Sequence, residues 1–241
     1  MKPPAEAGAR HRIRQLATTD AGLSFLLISL FVLLFVLYPF SRPHSITHYL
    51  IDAFAVLVMI SGVYAVSDRR RALFWCVIGF AALNFVLQLL PYAYLNRSVL
   101  VLNNLSTMLF LIVVTGAVLY RVLRKGPITA HRVQGAVAVY LMLGLIWAMA
   151  YSLVFILDPS SFDLRSSVKG VDDLLGIHTK GMGQLIYFSF VTMTTLGYGD
   201  IAPQSKIAQD LAILQALTGQ IYLVVIIGRL VAVAVSTNDR E

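Results

Sequence analysis

A polar octet with two glycines, residues 193–200, lies between two apolar stretches near the carboxyl end of the chain. Its glycines, Gly197 and Gly199, adopt left-handed backbone angles at no steric cost. If the residues from Thr195 to Tyr198 alternate between right- and left-handed angles, their successive carbonyl oxygens point the same way. A column of carbonyls facing one axis can replace the water around a dehydrated cation. The octet therefore predicts a site where backbone oxygens bind an ion.

The composition places this octet in a membrane protein. The chain has 241 residues, of which 58% are hydrophobic and 13% are charged, with a mean hydropathy of +0.78. A soluble domain is about 45–50% apolar and about 25% charged. The basic residues behind the net charge of +7 cluster beside apolar stretches, so membrane topology explains them and no nucleic-acid partner is expected. The single cysteine, Cys76, excludes an intrachain disulfide, and no nucleotide loop, zinc-helix motif or catalytic dyad indicates an enzyme.

Six apolar stretches can each cross a bilayer, at residues 23–40, 49–66, 72–90, 99–120, 133–157 and 207–235. A further segment, residues 182–194, precedes the octet and is too short to span about 30 Å of hydrocarbon. We expect it to form a re-entrant helix that stops inside the membrane, where its carboxyl-terminal dipole favours a cation. The alternative is an amphipathic helix at the membrane surface. The octet favours the re-entrant helix, because irregular backbone at this depth requires a protein-lined cavity.

The distribution of basic residues orients the spans. With a cytoplasmic amino terminus, the short inner loops contain Arg69, Arg70, Arg71, Arg121, Arg124, Lys125 and Arg132, and the short outer loops contain Arg42 and Arg97. This bias follows the positive-inside rule. Six spans then put both termini in the cytoplasm and bring the Tyr198-Gly199 end of the octet near the outer surface.

The sequence Thr195-Leu196-Gly197-Tyr198-Gly199 resembles the Thr-Val-Gly-Tyr-Gly selectivity filter of potassium channels, and Asp200 follows it as in that family. The likeness covers about residues 133–235, which are similar to the two-helix pore module of the potassium-channel superfamily. The compact chain looks most like a bacterial ion-channel family protein. The resemblance implies a potassium-selective channel with passive, single-file conduction. Its only cofactors are permeant K⁺ ions, bound at Thr195, Leu196, Gly197 and Tyr198, with Asp200 at the outer mouth.

Together these features predict an all-α transmembrane fold with six spans per chain, a re-entrant pore helix and filter between spans five and six, and a homotetrameric pore in the lipid bilayer. One chain supplies one filter strand, whereas four strands are needed to surround an ion. The expected domains are a cytoplasmic segment at residues 1–20, a four-span bundle at 21–125 and a pore domain at 126–241. The expected location is the cell membrane, which is the inner membrane if the source is bacterial.

The resemblance also implies that pore-helix residues support the filter. Voltage-gated relatives have tryptophans at two pore-helix positions that are Tyr187 and Phe188 in this chain, and Thr194 is a third expected support. Some relatives pair a pore-helix glutamate with the aspartate after the filter. Here Val191 stands at the glutamate position, so the resemblance does not imply slow inactivation that depends on this glutamate–aspartate pair.

The sixth span carries candidates for the inner cavity and gate. Gly219 lies where the inner helix bends in some channels, and a packing glycine is the equal alternative. Four residues at helical spacing either line the cavity and form a dewetting gate or form an ordinary packing stripe: Gln220, Leu223, Ile227 and Val231. Arg229 is expected to face away from the pore axis, toward the cytoplasmic headgroups or the linker before span five.

The first four spans carry no recognised motif. A voltage sensor needs several basic residues in its fourth span, and residues 99–120 contain none, so strong voltage gating is not expected. Asp52, with His48 four residues before it, is interpreted as an interfacial pair, with a proton or ligand sensor as the alternative. Asn103 and Asn104 are expected to form interhelical hydrogen bonds. Two other functions stay open: a less selective cation channel, and a non-conducting membrane sensor or assembly subunit.

Overall fold

The computed structural model describes residues 22–37, 56–58, 60–62, 75, 78–83, 86, 96–123, 130–164 and 180–238. Within the predicted second span the described residues, 56–58 and 60–62, are helical. Within the predicted third span the described residues, 75, 78–83 and 86, are also helical. Asp52, His48 and Cys76 lie outside the described residues, so the predictions for them stay as they were.

The described part of the chain is mostly helical. Its helices with described bounds are α1 (Gly22–Val36, which ends in the π-helix Val32–Leu37), α2 (Arg97–Leu123), α3 (Ala130–Leu157), α4 (Lys180–Met193) and α5 (Lys206–Asn238). Within the described residues, three helices are long and apolar enough to cross a membrane: α2, α3 and the Lys206–Ile226 part of α5. They correspond to the predicted spans four, five and six, and α4 corresponds to the predicted re-entrant helix. The chain is therefore a helical membrane protein.

Helix α2 is longer than the apolar stretch at residues 99–120. Arg97 and Arg121 were assigned to loops from the sequence, but Arg97 is the first residue of α2 and Arg121 lies in its last turn. The helix continues beyond its apolar middle, because a helical backbone satisfies its own polar groups at the membrane surface as well. The Arg97 guanidinium donates a hydrogen bond to the carbonyl of Leu157, the last residue of α3. This contact brings the start of α2 to the end of α3, so the two helices run antiparallel.

Helices α1, α2 and α3 share one apolar core. Gly135 of α3 allows α2 to approach closely, since a Cβ added there would lie 3.1 Å from Val122 Cγ2. On α1, Leu26 and Leu30 are fully buried in the same core. Near the start of α1 the Ser24 hydroxyl donates to Gln134 Oε1 at 2.5 Å. Helix α1 therefore packs against α2 and α3.

Among the described residues, the interhelical hydrogen bonds predicted for Asn104 are not seen. Asn104 is buried, and neither its Oδ1 nor its Nδ2 has a hydrogen-bond partner; Asn103 Oδ1 also lacks one. Helix spacing places the Asn104 amide on α2 without placing a donor or acceptor of the described residues opposite it.

A small sheet after α3 is an addition to the predicted all-α fold. Strand β1 (Phe162–Asp163) pairs antiparallel with β2 (Ala202–Pro203), and the amide of Gln204 donates to the Ser161 carbonyl at 2.7 Å. A short 3-10 turn, Pro159–Ser161, leads into β1 and is capped by Asp158. The sheet joins the segment after α3 to the segment after the octet, and so anchors the carboxyl end of the octet.

Candidate ion-binding site

The carboxyl end of α4 turns directly into the octet through a helix cap. The Leu196 amide donates to the Val191 carbonyl at 2.9 Å, and the Thr195 amide donates to the Thr192 carbonyl at 3.0 Å. These bonds form the paired pattern of a Schellman cap, with Thr195 at the left-handed position that is usually glycine. The cap stops α4 at Met193 and reverses the chain at the first residue of the predicted filter.

The backbone of the octet alternates as the glycine spacing predicted. Thr195, Gly197 and Gly199 have positive φ angles of 58°, 57° and 73°, and no other non-glycine residue that the structure describes has a positive φ. Leu196 and Tyr198 therefore interleave with three left-handed residues. Thr195 is β-branched, so its left-handed conformation is strained and must be enforced by its surroundings. The cap described above supplies that enforcement from one side.

The carboxyl end of the octet is held by a hydrogen bond from α4. The Tyr187 hydroxyl donates to Asp200 Oδ2 at 2.9 Å. Hydrogen bonds to an ionised carboxylate are stronger than neutral ones. Val191 leaves no carboxylate on α4 to pair with Asp200, and the Tyr187 phenol takes the contact with the aspartate instead.

Phe188, the second predicted support, packs behind α4 instead of beside the octet. Its ring lies 5.0 Å from that of Tyr151 on α3 and 5.6 Å from that of Phe162 on β1, in edge-to-face geometry. Tyr151 and Phe162 also contact each other at 5.6 Å. These three aromatic rings join α3, α4 and the sheet formed by β1 and β2. Thr194, the third predicted support, uses its hydroxyl locally and donates to the Phe190 carbonyl at 2.7 Å.

Gly219 of α5 lies against the end of α4. A Cβ added there would be 2.5 Å from the Met193 carbonyl oxygen and 2.9 Å from Met193 Cγ. The same carbonyl oxygen accepts a 3.4 Å hydrogen bond from the Tyr140 hydroxyl of α3. The packing role considered for Gly219 is thus visible in the structure, and its role as a bend stays a prediction, since α5 is helical from Lys206 to Asn238.

A buried polar network behind α4 was missed by the sequence reasoning. Gln215 of α5 is 0% exposed, and its Nε2 donates to the carbonyl and hydroxyl oxygens of Ser189 at 2.9 and 2.7 Å. The Tyr151 hydroxyl donates to Gln215 Oε1 at 2.5 Å, and the Ser189 hydroxyl donates to the Gly144 carbonyl at 2.6 Å. The only signal in the sequence was a glutamine in an apolar span, one helical turn before Gly219.

Helix α1 also reaches α4. The Phe35 ring lies 6.5 Å from the ring of Phe190. Phe190 in turn fills the space left by Gly144, where an added Cβ would lie 2.6 Å from Phe190 Cε1. Helix α1 is therefore in contact with the helix that ends at the octet.

The candidates for the inner cavity and gate are less fully described. Gln220 and Leu223 are exposed in the single chain, whereas the side chains of Ile227 and Val231 lie outside the described part of the protein. Arg229 donates a hydrogen bond to the carbonyl of Leu123, the last residue of α2. This contact agrees with the prediction that Arg229 meets the region just before span five.

The octet offers backbone oxygens rather than a set of ligating side chains. Among the residues that the structure describes, no group of three or more His, Cys, Asp or Glu side chains could hold a metal ion. The octet contains one carboxylate, that of Asp200, and its other oxygens are uncharged carbonyl and hydroxyl groups.

Comparison with known proteins agrees with this geometry. The sequence model of a family described as "Ion channel" matches residues 107–236, which is more than half of the chain. The chain belongs to this ion-channel family, and with it to the potassium-channel superfamily, a group of transport proteins rather than enzymes. Over 68 residues it is 34% identical to two-pore potassium channel 4 of Arabidopsis thaliana, a match that covers 28% of this chain and 24% of that relative. The matched region thus spans about a quarter of the relative's length. No solved structure matches.

Proposed function

We propose that this protein is a potassium-selective channel that conducts K⁺ passively and in single file. The observation that carries the proposal is the alternation of φ signs, positive at Thr195, Gly197 and Gly199. Such alternation turns successive carbonyls toward one side of the ribbon, where they can replace the hydration shell of K⁺. The K⁺ sites are formed by Thr195, Leu196, Gly197 and Tyr198, and Asp200 concentrates cations at the outer mouth.

The working assembly is a homotetramer. A single ribbon leaves one side of an ion uncovered, and four are needed to enclose it. In the single chain, Leu196 is 54% exposed and Tyr198 is 66% exposed. On α5, apolar residues such as Ile221 and Val224 are 60% and 73% exposed. Neighbouring copies would cover the ribbon and part of this helix, and lipid would cover the rest.

The remaining organisation follows the sequence-based prediction. Residues 1–20 form a cytoplasmic segment, 21–125 a four-span bundle and 126–241 the pore domain, with six spans, both termini in the cytoplasm and the whole chain in the cell membrane. Helix α2 is the fourth span, and residues 99–120 carry no basic side chain that could move through the membrane field. Gating by voltage is therefore weak, and patch recordings with several gating charges per subunit would contradict this.

The test is ion flux into liposomes that contain the purified protein. We expect K⁺ flux that barium blocks, and bi-ionic reversal potentials that strongly favour K⁺ over Na⁺. Gly197→Ala should abolish the flux, because a Cβ at a φ of 57° costs about 1–2 kcal/mol in each chain. Gly116→Ala on α2 is the matched control, since an added Cβ there meets no atom of the described residues within 4 Å.

Each of the other functions predicts a different result in this assay. Equal permeability to Na⁺ and K⁺ would establish a less selective cation channel. Absence of flux at all voltages and pH values would establish a non-conducting sensor or assembly subunit. A purified protein that is only dimeric would refute the tetrameric pore.

A further inference from the structure

Gln215 lies in a closed chain of hydrogen bonds that begins and ends on α3. The Tyr151 hydroxyl donates to Gln215 Oε1, Gln215 Nε2 donates to Ser189, and the Ser189 hydroxyl donates to the Gly144 carbonyl. Tyr151 and Gly144 are two helical turns apart and so lie on one face of α3. The chain therefore links α3 to α5, α5 to α4, and α4 back to α3.

This network holds α4 one turn before its end. Ser189 is followed by Phe190, Val191 and Thr192, whose carbonyls accept the amide hydrogens of residues 194–197. One turn further along both helices, Gly219 of α5 contacts Met193 of α4. Helices α4 and α5 are thus fixed against each other at two points one turn apart, and the second point adjoins the octet.

A polar network at this depth is costly unless every member is satisfied. Gln215 is surrounded in sequence by apolar residues, and a leucine or methionine would pack without any hydrogen-bonding demand. The Gln215 carboxamide acts as both acceptor and donor here, because its oxygen accepts a hydrogen bond from Tyr151 while its nitrogen donates to Ser189. Such supporting contacts are what hold a site within about 0.5 Å of its working geometry.

We propose that Gln215 is a positioning residue for ion selectivity, which keeps the filter ribbon in register by fixing α4 against α3 and α5. The inference rests on the proposed function, because it assigns to Gln215 a part in the selectivity of that same site. A side chain at position 215 must both accept and donate a hydrogen bond for the ribbon to discriminate K⁺ from Na⁺.

Two substitutions separate positioning from simple packing. Gln215→Met keeps a similar length and loses all three hydrogen bonds, one with Tyr151 and two with Ser189, and we expect the K⁺-to-Na⁺ permeability ratio to fall at least tenfold. Gln215→Glu can accept and donate only while the acid is protonated. We expect this variant to approach the wild-type ratio at about pH 5 and to lose it at about pH 8. Among the described residues, Tyr151 is the titratable group in contact with Gln215, and phenols stay protonated below about pH 10.

The matched control is Thr218→Val on the same helix, because the Thr218 hydroxyl bonds only within α5, to the Leu214 carbonyl at 2.7 Å. Between these two pH values, the K⁺-to-Na⁺ permeability ratio of Thr218→Val should change only as much as that of the wild-type protein. If Gln215→Met does not assemble, the pH-dependent comparison within a single preparation of Gln215→Glu decides the question.

The possible failures are distinct. A wild-type protein without K⁺ flux would overturn the proposed function, and this inference with it. A conducting, K⁺-selective wild type whose Gln215→Met variant keeps the wild-type permeability ratio would overturn the inference alone. A Gln215→Glu variant whose ratio is the same at both pH values would also overturn it.

Discussion

Replacing Gly219 by alanine tests how α5 supports the octet. An added Cβ would lie 2.5 Å from the Met193 carbonyl oxygen, whereas ordinary contact begins near 3.4 Å. The two helices must therefore separate by about 0.9 Å, or the carbonyl must move by that amount. Met193 is two residues before Thr195, so the displacement arrives at the first predicted K⁺ site.

The expected change in stability is small compared with the change in function. Overpacking of this kind costs about 1–3 kcal/mol per chain. The higher helix propensity of alanine relative to glycine offsets up to about 1 kcal/mol of this loss in folding free energy. A site that must be held within about 0.5 Å does not tolerate a shift of this size. We therefore expect the Gly219→Ala protein to assemble with a slightly lower melting temperature and to lose most of its K⁺-to-Na⁺ selectivity.

The assay combines bi-ionic reversal potentials with thermal unfolding of the purified protein. Gly228→Ala on the same helix is the control, since no atom of the described residues lies within 4 Å of its added Cβ. It gains the helix propensity of alanine without the steric conflict. If Gly219 acts as a bend rather than a packing residue, Gly219→Ala will alter open probability while selectivity stays at the wild-type value. That result, with an unchanged melting temperature, would refute the reasoning from the close contact.

Two further predictions concern Tyr187, which contacts Asp200, and Asp158, which caps the turn before β1. Tyr187→Phe removes the 2.9 Å hydrogen bond to Asp200, so we expect K⁺ flux to decay faster after it starts, and a wild-type time course would contradict this role. At Asp158, hydrogen bonds from the side chain and backbone of Ser160 and from the Ser161 hydroxyl lower the pKa of the carboxyl group. A lowered pKa stabilises the folded state above the ordinary carboxyl pKa, and this contribution disappears as the pH falls through the lowered value. Asp158→Asn should thus unfold at a lower temperature than the wild type at neutral pH, and this difference in melting temperature should shrink as the pH falls below the ordinary carboxyl pKa; a difference independent of pH would contradict it.

Local features of the structure could be predicted from the sequence because their causes are local. The positions of Gly197 and Gly199 are sufficient to predict alternating backbone angles, and apolar length predicts α2, α3, α4 and α5 to within a few residues. The sequence analysis assigned left-handed angles to the two glycines only, and the positive φ of Thr195 is an addition, because a β-branched residue rarely adopts that angle.

The tertiary contacts of the site could not be predicted in this way. Gln215 is 26 residues from Ser189 and 64 from Tyr151 in sequence, and nothing in the spacing of these residues indicates that they meet. The Tyr187–Asp200 bond depends on where the ribbon ends relative to α4, and the pairing of β1 with β2 depends on the path of a polar segment. The failure at Asn104 has the same origin, because helical periodicity gives the face of a side chain but not its partner.

The arginine contacts at the two ends of α2 have a mechanical consequence. Arg97 ties the start of this helix to the carbonyl of Leu157, and Arg229 ties its end, at the Leu123 carbonyl, to α5. Each guanidinium meets the negative end of a helix dipole, where a cation is favoured. Helix α2 is thus held at both of its ends by a guanidinium. Any displacement of the Arg229 region of α5 must either carry the end of α2 with it or break the Arg229 contact.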